Sequence, residues 1–252
     1  MERQTIRAGE SDPRAEAPVT IASLALLGCG TVGGALIDLI AERADALAAR
    51  GVEPRVVAIA NSRRMVVAPD GIDLARWREA LAAASEPTDP SALMALGPSL
   101  PGPVLVDCTA SDETPRAYPG FFAAGFDVVT ANKRGNAGPL EHYRNLAREA
   151  RRRGRQYLYE ATVGAGLPVV DNLRRLFMAG DSLLDFTGVL SGSLSFLFGR
   201  LEDGQLFSAA VREAMARGFT EPDPRDDLSG ADVARKTLLL AREAGMALEP
   251  ED

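Results

Sequence analysis

The residues best suited to chemistry lie in one acidic segment, TEPDPRDDLSGADVARK, which spans residues 220–236. Four of its carboxylates precede a stretch with helical periodicity, and a loop stiffened by two prolines presents three of them: Glu221, Asp226 and Asp227. Ser229 followed by Asp232 predicts a capping box, which places Asp232 and Lys236 at i and i+4 on one helical face. Such a segment could bind a small charged substrate beside an acid and an amine. The alternative is a solvated acidic turn followed by an exposed ion pair worth about 0.3–0.5 kcal/mol.

The same segment resembles the signature of the homoserine dehydrogenases over a length that makes chance agreement negligible. The resemblance implies that Lys236 is the catalytic acid/base and that Asp232 orients this lysine. It also implies that substrate is bound by four residues: Glu221, Asp226, Asp227 and Lys236.

A glycine-rich turn follows the first apolar run of the chain. Ile21–Leu27 reads as a strand and is followed by Gly28-Cys29-Gly30-Thr31-Val32-Gly33 and then by helical periodicity out to Arg50. In a strand-turn-helix context the GxGxxG pattern predicts dinucleotide binding, because the glycines let the backbone approach the pyrophosphate at a helix N-terminus. The predicted cofactor-binding residues of this turn are Gly28, Gly30, Thr31, Val32 and Gly33.

The choice between NAD and NADP depends on the end of the second strand, Arg55–Ala60. An NAD site usually has an acidic residue about 20 residues beyond the glycines, where it binds the ribose 2′-hydroxyl. Here Asn61, Ser62, Arg63 and Arg64 follow the strand instead. Two guanidiniums favour a 2′-phosphate, with Asn61 and Arg63 in the cofactor site; the alternative is that both arginines are only solvated.

Strands alternate with helices along the first part of the chain, which predicts an α/β fold with a Rossmann-type dinucleotide-binding domain at 20–155. Helical surface insertions are expected between Ser62 and Gly102. A flexible tail is predicted at 1–19. An α+β substrate-binding and dimerisation domain is predicted at 156–252, incomplete and with strands near Tyr157–Glu160 and Asp185–Leu190.

Further segments also resemble homoserine dehydrogenases: VDCTASD, VVTANKR, YEATVGAGLP and LSGSLSFLFGRL. The similarity is closest to the dehydrogenase portion of the bifunctional aspartokinase–homoserine dehydrogenases. It implies that the nicotinamide side of the cofactor site is lined by Cys108, Thr109 and Ala110. It also implies that Lys133 lies near the reacting carbonyl, as a second catalytic and cofactor-contacting candidate. Lys133 follows a strand, at the sheet edge where open α/β sheets bind ligands; an ordinary surface lysine is the alternative.

The segment Glu160–Pro168 resembles the monovalent cation loop of the same family. Candidate ligands for Na⁺ or K⁺ are the Glu160 carboxylate and the carbonyls of Val163, Ala165 and Leu167. A structural turn without a metal is the alternative.

Composition narrows the function classes. The chain has 252 residues, 46% of them hydrophobic, and a net charge of −7, which argues against nucleic-acid and anionic-membrane partners. Cys29 and Cys108 are the only cysteines, so a disulfide framework is not expected and a reducing cytoplasm fits. His142 is the only histidine, which argues against a Ser-His-Asp triad or a histidine zinc site. No apolar run reaches the length of a membrane span.

The resemblance implies a homodimeric homoserine dehydrogenase that reversibly reduces L-aspartate 4-semialdehyde to L-homoserine with NADPH or NADH, in threonine, methionine and isoleucine biosynthesis. The other hypothesis is an inactive dinucleotide-binding or regulatory module. Members of the family extend further at the C-terminus, so little turnover and lower stability are expected of these 252 residues alone.

Overall fold

A computed structural model describes residues 19–220 and 224–252, apart from the side chain of Asp226. Residues 1–18 of the predicted tail and the substrate-binding candidate Glu221 therefore lie outside the described residues, as does the Asp226 carboxylate. Among the helices that are described, none is long and apolar enough to cross a membrane.

The strands of the described part are β1 (Thr20–Leu27), β2 (Val52–Ala60), β3 (Met65–Val67), β4 (Pro103–Asp107), β5 (Asp127–Thr130) and β6 (Tyr157–Leu158). They form one sheet in the order β3-β2-β1-β4-β5-β6, in which only the β2–β3 pair is antiparallel. From β1 the sheet extends to β2 on one side and to β4 on the other. Ligands of open α/β sheets bind at such a switch point, outside the carboxyl ends of the strands. The predicted α/β fold is confirmed.

The helices of the described part are α1 (Thr31–Glu42), α2 (Ala44–Ala48), α3 (Trp77–Ala83), α4 (Pro90–Leu96), α5 (Glu113–Ala123), α6 (Arg134–Ala137), α7 (Leu140–Arg152), α8 (Val169–Met178), α9 (Gly192–Glu202), α10 (Phe207–Ala216), α11 (Pro224–Leu228) and α12 (Ala231–Glu243). The single helix predicted to end at Arg50 is therefore two helices, α1 and α2. Short 3₁₀ helices occupy Gly97–Ser99 and Glu160–Thr162.

Both faces of the sheet are covered. Successive side chains of a strand point to opposite faces, so Ala25 and Leu27 of β1 pack in one apolar cluster while Leu26 packs in another. The first cluster includes Phe121 of α5, and the second includes Ile37 of α1. Burial on both faces explains the nearly continuous apolar runs of these strands.

The predicted insertion between Ser62 and Gly102 contains helices α3 and α4, but it also contains β3, which was not predicted. Asn61–Arg64 connects β2 to β3 as a tight turn: the Asn61 side-chain oxygen accepts hydrogen bonds from the backbone N–H groups of Arg63 (2.8 Å) and Arg64 (3.0 Å). So short a connection permits only an antiparallel partner, because a parallel crossover needs a dozen or more residues.

Two strand predictions for the second domain need correction. The strand at Tyr157 forms, but it pairs in parallel with β5 as the last strand of the first sheet. Asp185–Leu190 forms no strand. No described strand of the C-terminal half lies beside it to satisfy its backbone groups, and Leu184 and Val189 are exposed.

Candidate functional site

Two cavities meet at the carboxyl edge of the sheet. The first, of about 680 Å³, lies over the glycine turn and is lined by Gly28 and Gly30. The second, of about 490 Å³, lies between the loop after β5 and helix α12 and is lined by Lys133 and Lys236. Thr109 and Ala110 line both cavities. A ligand in one cavity would therefore adjoin a ligand in the other.

The glycine turn has the shape that a dinucleotide requires. Gly28 has φ +91°, and a Cβ there would lie 2.7 Å from the carbonyl carbon of Cys108. A Cβ on Gly33 would lie 2.0 Å from the Gly28 oxygen, so α1 packs directly on the turn. At Gly30 a Cβ would meet no atom within 4 Å, which leaves the first turn of the helix open to a ligand. These positions fit a pyrophosphate at the N-terminus of α1, where Thr31 and Val32 are exposed.

A basic cavity of about 630 Å³ adjoins the first cavity at Cys29, Asn61 and Ser62. Arg63 and Arg64 both line it, but they differ in their contacts. The Arg64 guanidinium donates to the carbonyls of Ala82 and Ala84 at the end of α3. Arg63 is exposed, and its guanidinium makes no hydrogen bond or ion pair to a described residue, so it is the arginine available to a ligand.

Arg78 also lines the basic cavity, and sequence reasoning missed it. Its guanidinium lies 4.4 Å from the centre of the Trp77 ring and forms an ion pair with Asp38 of α1 (2.7 Å). The Trp77 indole N–H also donates to Asp38. No local pattern signals this site, because Asp38 and the Trp77-Arg78 pair lie far apart in the chain.

The three residues predicted for the nicotinamide side divide into two kinds. Thr109 and Ala110 line both cavities. Cys108 instead packs in the apolar cluster beneath the turn, next to Cys29. Burial, the nearby Asp107 and Cys29 raise the pKa of Cys108 to about 11, so its thiol remains protonated at neutral pH. A raised thiol pKa argues against a nucleophilic role for Cys108.

Lys133, Asp232 and Lys236 come together in the second cavity. The Lys236 Nζ lies 2.6 Å from Asp232 Oδ2, which confirms the predicted i,i+4 pair. The Lys133 Nζ lies 3.4 Å from Asp232 Oδ1, so one carboxylate contacts both lysines. Lys236 also donates to the carbonyl of Leu190 (2.7 Å). Partial burial raises the pKa of Asp232, but the Lys236 hydrogen bond and the Lys133 charge outweigh it, so that the pKa is lowered overall.

The start of α12 differs from the predicted capping box. The N-cap is Gly230, with φ +71°, and a glycine has no side chain that could accept a capping hydrogen bond. The Ser229 hydroxyl accepts a hydrogen bond from the N–H of Ala231 (3.2 Å), one residue earlier than a capping box requires. The left-handed backbone at Gly230 turns the chain sharply into the helix.

Of the acids predicted to bind substrate, Asp227 on α11 is the one whose side chain the structure describes. It lines the second cavity and accepts a hydrogen bond from the Ser193 hydroxyl (2.8 Å). Ser191 and Ser193 at the start of α9, and Arg235 on α12, also line the cavity and were not predicted to do so. The Ser191 hydroxyl caps α9, a signal that the sequence does carry in its Ser followed by an apolar periodic run.

Charged side chains near the end of α12 hold this helix in place. The Glu243 carboxylate accepts hydrogen bonds from Tyr143 (3.0 Å), Tyr159 and Arg174 (2.9 Å). The buried Arg242 donates to the carbonyl of Asn136 (2.7 Å). The helix that carries Asp232 and Lys236 is thereby fixed to α6, α7, α8 and the segment after β6.

The candidate cation loop contributes to the structure by capping helix α8. The Glu160 carboxylate accepts hydrogen bonds from the N–H groups of Val169 (2.6 Å), Val170 (2.9 Å) and Asp171 (2.8 Å) and so caps α8. The carbonyl of Leu167 accepts from Val169. Ala165 has φ +53°, which makes the loop sharply bent. In the part of the chain that is described, no cluster of three or more His, Cys, Asp or Glu could hold a metal ion.

Comparisons with known families agree with the geometry. Residues 28–160 match the family model for the homoserine dehydrogenase NAD-binding domain, and residues 168–252 match the model for homoserine dehydrogenase. The chain belongs to the homoserine dehydrogenase family. The family prediction is therefore confirmed.

Curated relatives in this family include bifunctional proteins. A bifunctional aspartokinase/homoserine dehydrogenase of Haemophilus influenzae is 47% identical over 234 residues, which cover 92% of this chain and 29% of that protein. The chain thus spans less than a third of that curated relative.

Among solved structures, the homoserine dehydrogenase of Thermoplasma acidophilum is 25% identical with a TM-score of 0.74, covering 92% of this chain and 72% of its own. A hyperthermophilic archaeal homoserine dehydrogenase in complex with NADPH is 26% identical with a TM-score of 0.69, covering 89% of this chain and 70% of its own.

Proposed function

We propose that this chain carries a homoserine dehydrogenase activity: the reversible, NAD(P)H-dependent reduction of L-aspartate 4-semialdehyde to L-homoserine. The observation that carries the proposal is the convergence of Lys133, Asp232 and Lys236 on a cavity that shares Thr109 and Ala110 with the cavity over the glycine turn. A substrate carbonyl and a nicotinamide ring could adjoin each other there. Family membership supports the identity of the substrate.

The dinucleotide would be held by the glycine turn and by the Asn61–Arg64 turn, and when bound it supplies the hydride. An ammonium group has three N–H donors. Lys236 uses two of them for Asp232 and Leu190, which leaves one for the substrate oxygen. We propose that Lys236 gives this proton to the oxygen as negative charge develops on it, and that the amine regains a proton from solvent before the next turnover. Asp232 holds the ammonium in the donating orientation. The acids of the 220–227 segment would bind the substrate ammonium.

The test is an assay of aspartate-semialdehyde-dependent NADPH oxidation, with the reverse reaction followed from homoserine and NADP⁺. Turnover in both directions that depends on both substrates is the expected result. Tight NADPH binding without any turnover would favour the dinucleotide-binding module instead.

We propose a preference for NADPH over NADH. Arg63 is exposed in the basic cavity, and none of the described residues that line this cavity is the acid that an NAD site uses to bind the ribose 2′-hydroxyl. Arg63→Ala is expected to weaken NADPH binding about 10- to 100-fold, since a lost hydrogen bond to a charged group costs about 1.5–3 kcal/mol. NADH lacks the 2′-phosphate and should bind nearly as before. Parallel fluorescence titrations of the two cofactors measure the difference.

Arg64→Ala is the matched control for this variant. Arg64 is bonded to Ala82 and Ala84, so its loss should lower the melting temperature and leave the NADPH/NADH ratio of dissociation constants unchanged. An equal loss of both cofactors in the Arg63 variant would reject the 2′-phosphate contact.

We propose that Glu221 binds the substrate ammonium, although it lies outside the described residues. Glu221→Gln should raise the KM for homoserine about tenfold and leave the KM for NADP⁺ unchanged, because only a charge-assisted hydrogen bond to the amino group is lost. Glu202→Gln, an exposed acid at the end of α9, is the control. An unchanged homoserine KM would contradict the assignment.

We propose a monovalent cation, Na⁺ or K⁺, for the loop at 160–168. The carbonyls of Val163 and Ala165 accept no hydrogen bond from a described residue and suit such an ion. Glu160 and the Leu167 carbonyl are already used by α8, so the ion would share them. Activity that is equal in potassium, sodium and choline chloride would remove the cation from the proposal.

We propose that the chain forms a homodimer through its C-terminal half. Large apolar side chains are exposed there: Met178, Leu184, Val189 and Leu206. Exposed apolar surface of this kind is typical of interaction sites. Light scattering would measure the mass of the particle, which should be twice that of one chain.

We also propose a cytoplasmic location, because Cys29 and Cys108 are both free thiols.

A further inference from the structure

A buried polar network lies directly beneath the place where the two cavities meet. Its centre is Asp107, the last residue of β4, which is fully buried. One oxygen of its carboxyl group, Oδ1, accepts a hydrogen bond from the N–H of Thr109 (2.7 Å). The other, Oδ2, accepts from the Tyr118 hydroxyl (2.5 Å) and from the side-chain amide of Asn132 (3.1 Å). None of the proposed chemistry uses Asp107.

Asn132 connects this carboxyl group to both loops at the sheet edge. Its amide nitrogen also donates to the Thr109 hydroxyl (3.2 Å) and to the Ser111 carbonyl (2.8 Å) in the loop after β4. Its amide oxygen accepts from the N–H of Arg134 (3.0 Å), the first residue of α6. Lys133 is therefore held on both sides in the chain: Asn132 before it is bonded to Asp107, and the N–H of Arg134 after it is bonded to Asn132.

We propose that Asp107 and Asn132 are positioning residues that set the distance between the nicotinamide side of the cofactor cavity and Lys133 in the substrate cavity. The inference rests on the proposed function. It follows from the placement of the network: Thr109 lines both cavities, Lys133 lines the second, and the Asp107–Asn132 pair joins the two.

An amide at position 107 would disrupt this network, because donors face both oxygens of the Asp107 carboxylate. The groups that face the Asp107 oxygens are the Thr109 N–H, the Asn132 amide and the Tyr118 hydroxyl, and the first two can only donate. The Tyr118 hydroxyl can also accept, because it has the Thr130 hydroxyl (3.0 Å) as a second partner. Asparagine at 107 would turn its N–H₂ group toward the Thr109 N–H in place of Oδ1, or toward the Asn132 amide nitrogen in place of Oδ2. Either arrangement sets donor against donor, so the loop that carries Thr109 or Asn132 must then move.

The test compares three variants of the active chain. Asp107→Asn and Asn132→Ala should each lower kcat about 10- to 100-fold, because misplacement of reacting groups by about 1 Å can cost this much. Their dissociation constants for NADPH should change less than about threefold, since the glycine turn and the Arg63 cavity are untouched. Asn132→Ala keeps the bonds of Asp107 to Thr109 and Tyr118, so it tests the inference even if Asp107→Asn does not fold.

Tyr118→Phe is the matched control, because it removes a buried bond to the same oxygen but leaves both loops attached. It should lower the melting temperature and keep kcat within about twofold of the parent. The inference is overturned if Asn132→Ala keeps the parental kcat, or if Tyr118→Phe loses as much kcat as the other two. An inactive parent chain would instead count against the proposed function.

Discussion

Lys236→Ala is expected to lower kcat by about 10²–10⁴, the usual contribution of a general acid or base, with little change in the affinity for NADPH. The reason is geometric. The Lys236 ammonium is held by Asp232 and by the Leu190 carbonyl, and Lys236 lines the same cavity as Lys133. Steady-state kinetics in both directions and a cofactor titration measure the effect.

Two further variants show whether the effect comes from the proton that Lys236 transfers or from its positive charge. Lys236→Arg keeps a cation but should be nearly as slow as the alanine variant, because a guanidinium does not release a proton near neutral pH. Thr237→Ala changes an exposed neighbour whose hydroxyl donates to the Val233 carbonyl of its own helix, and it should keep full activity. If Lys236→Ala turned over at the parental rate, the role would pass to Lys133.

Asp232→Asn is expected to lower kcat about 10- to 100-fold, because one carboxylate orients two catalytic candidates. Without its charge the two ammonium groups, which lie 2.6 and 3.4 Å from the Asp232 oxygens, repel each other uncompensated. The loss should appear in kcat more than in the KM for the cofactor. Stopped-flow measurement of the hydride-transfer step would locate it.

Asp112→Asn is the control for that variant. It breaks an exposed ion pair with Arg134 (2.9 Å), a cavity-lining residue, but leaves both lysines paired. Exposed pairs contribute little, so activity and stability should hardly change. Equal losses in the Asp112 and Asp232 variants would show that the effect is one of general surface charge.

The pH dependence of stability has a defined sign at Asp232. Its pKa is lower in the folded protein than in the unfolded chain, so its pairing stabilises the fold above the unfolded pKa of 3.8. The contribution is lost as the pH falls from there through the folded value. With the carboxylate 41% exposed, solvent screening keeps this contribution small.

Local patterns in the sequence predicted the strand-turn-helix at the glycine turn, the pairing of Asp232 with Lys236 and the family. The alternation of buried strands and helices, the glycine turn after β1 and the i,i+4 spacing of Asp232 and Lys236 each depend on residues close together in the chain. Periodicity and turn chemistry act at this range, so these features were predicted correctly.

Tertiary structure alone decided which distant residues meet. Lys133 and Lys236 share Asp232 only because α12 packs against α6, and Arg64 is bonded to α3 while Arg63 remains exposed. The assignment of β6 to the first sheet likewise depends on pairing with β5, and the burial of Asp107 on contacts with Tyr118 and Asn132. Such contacts arise from packing between elements far apart in the chain, and no local propensity or spacing encodes them.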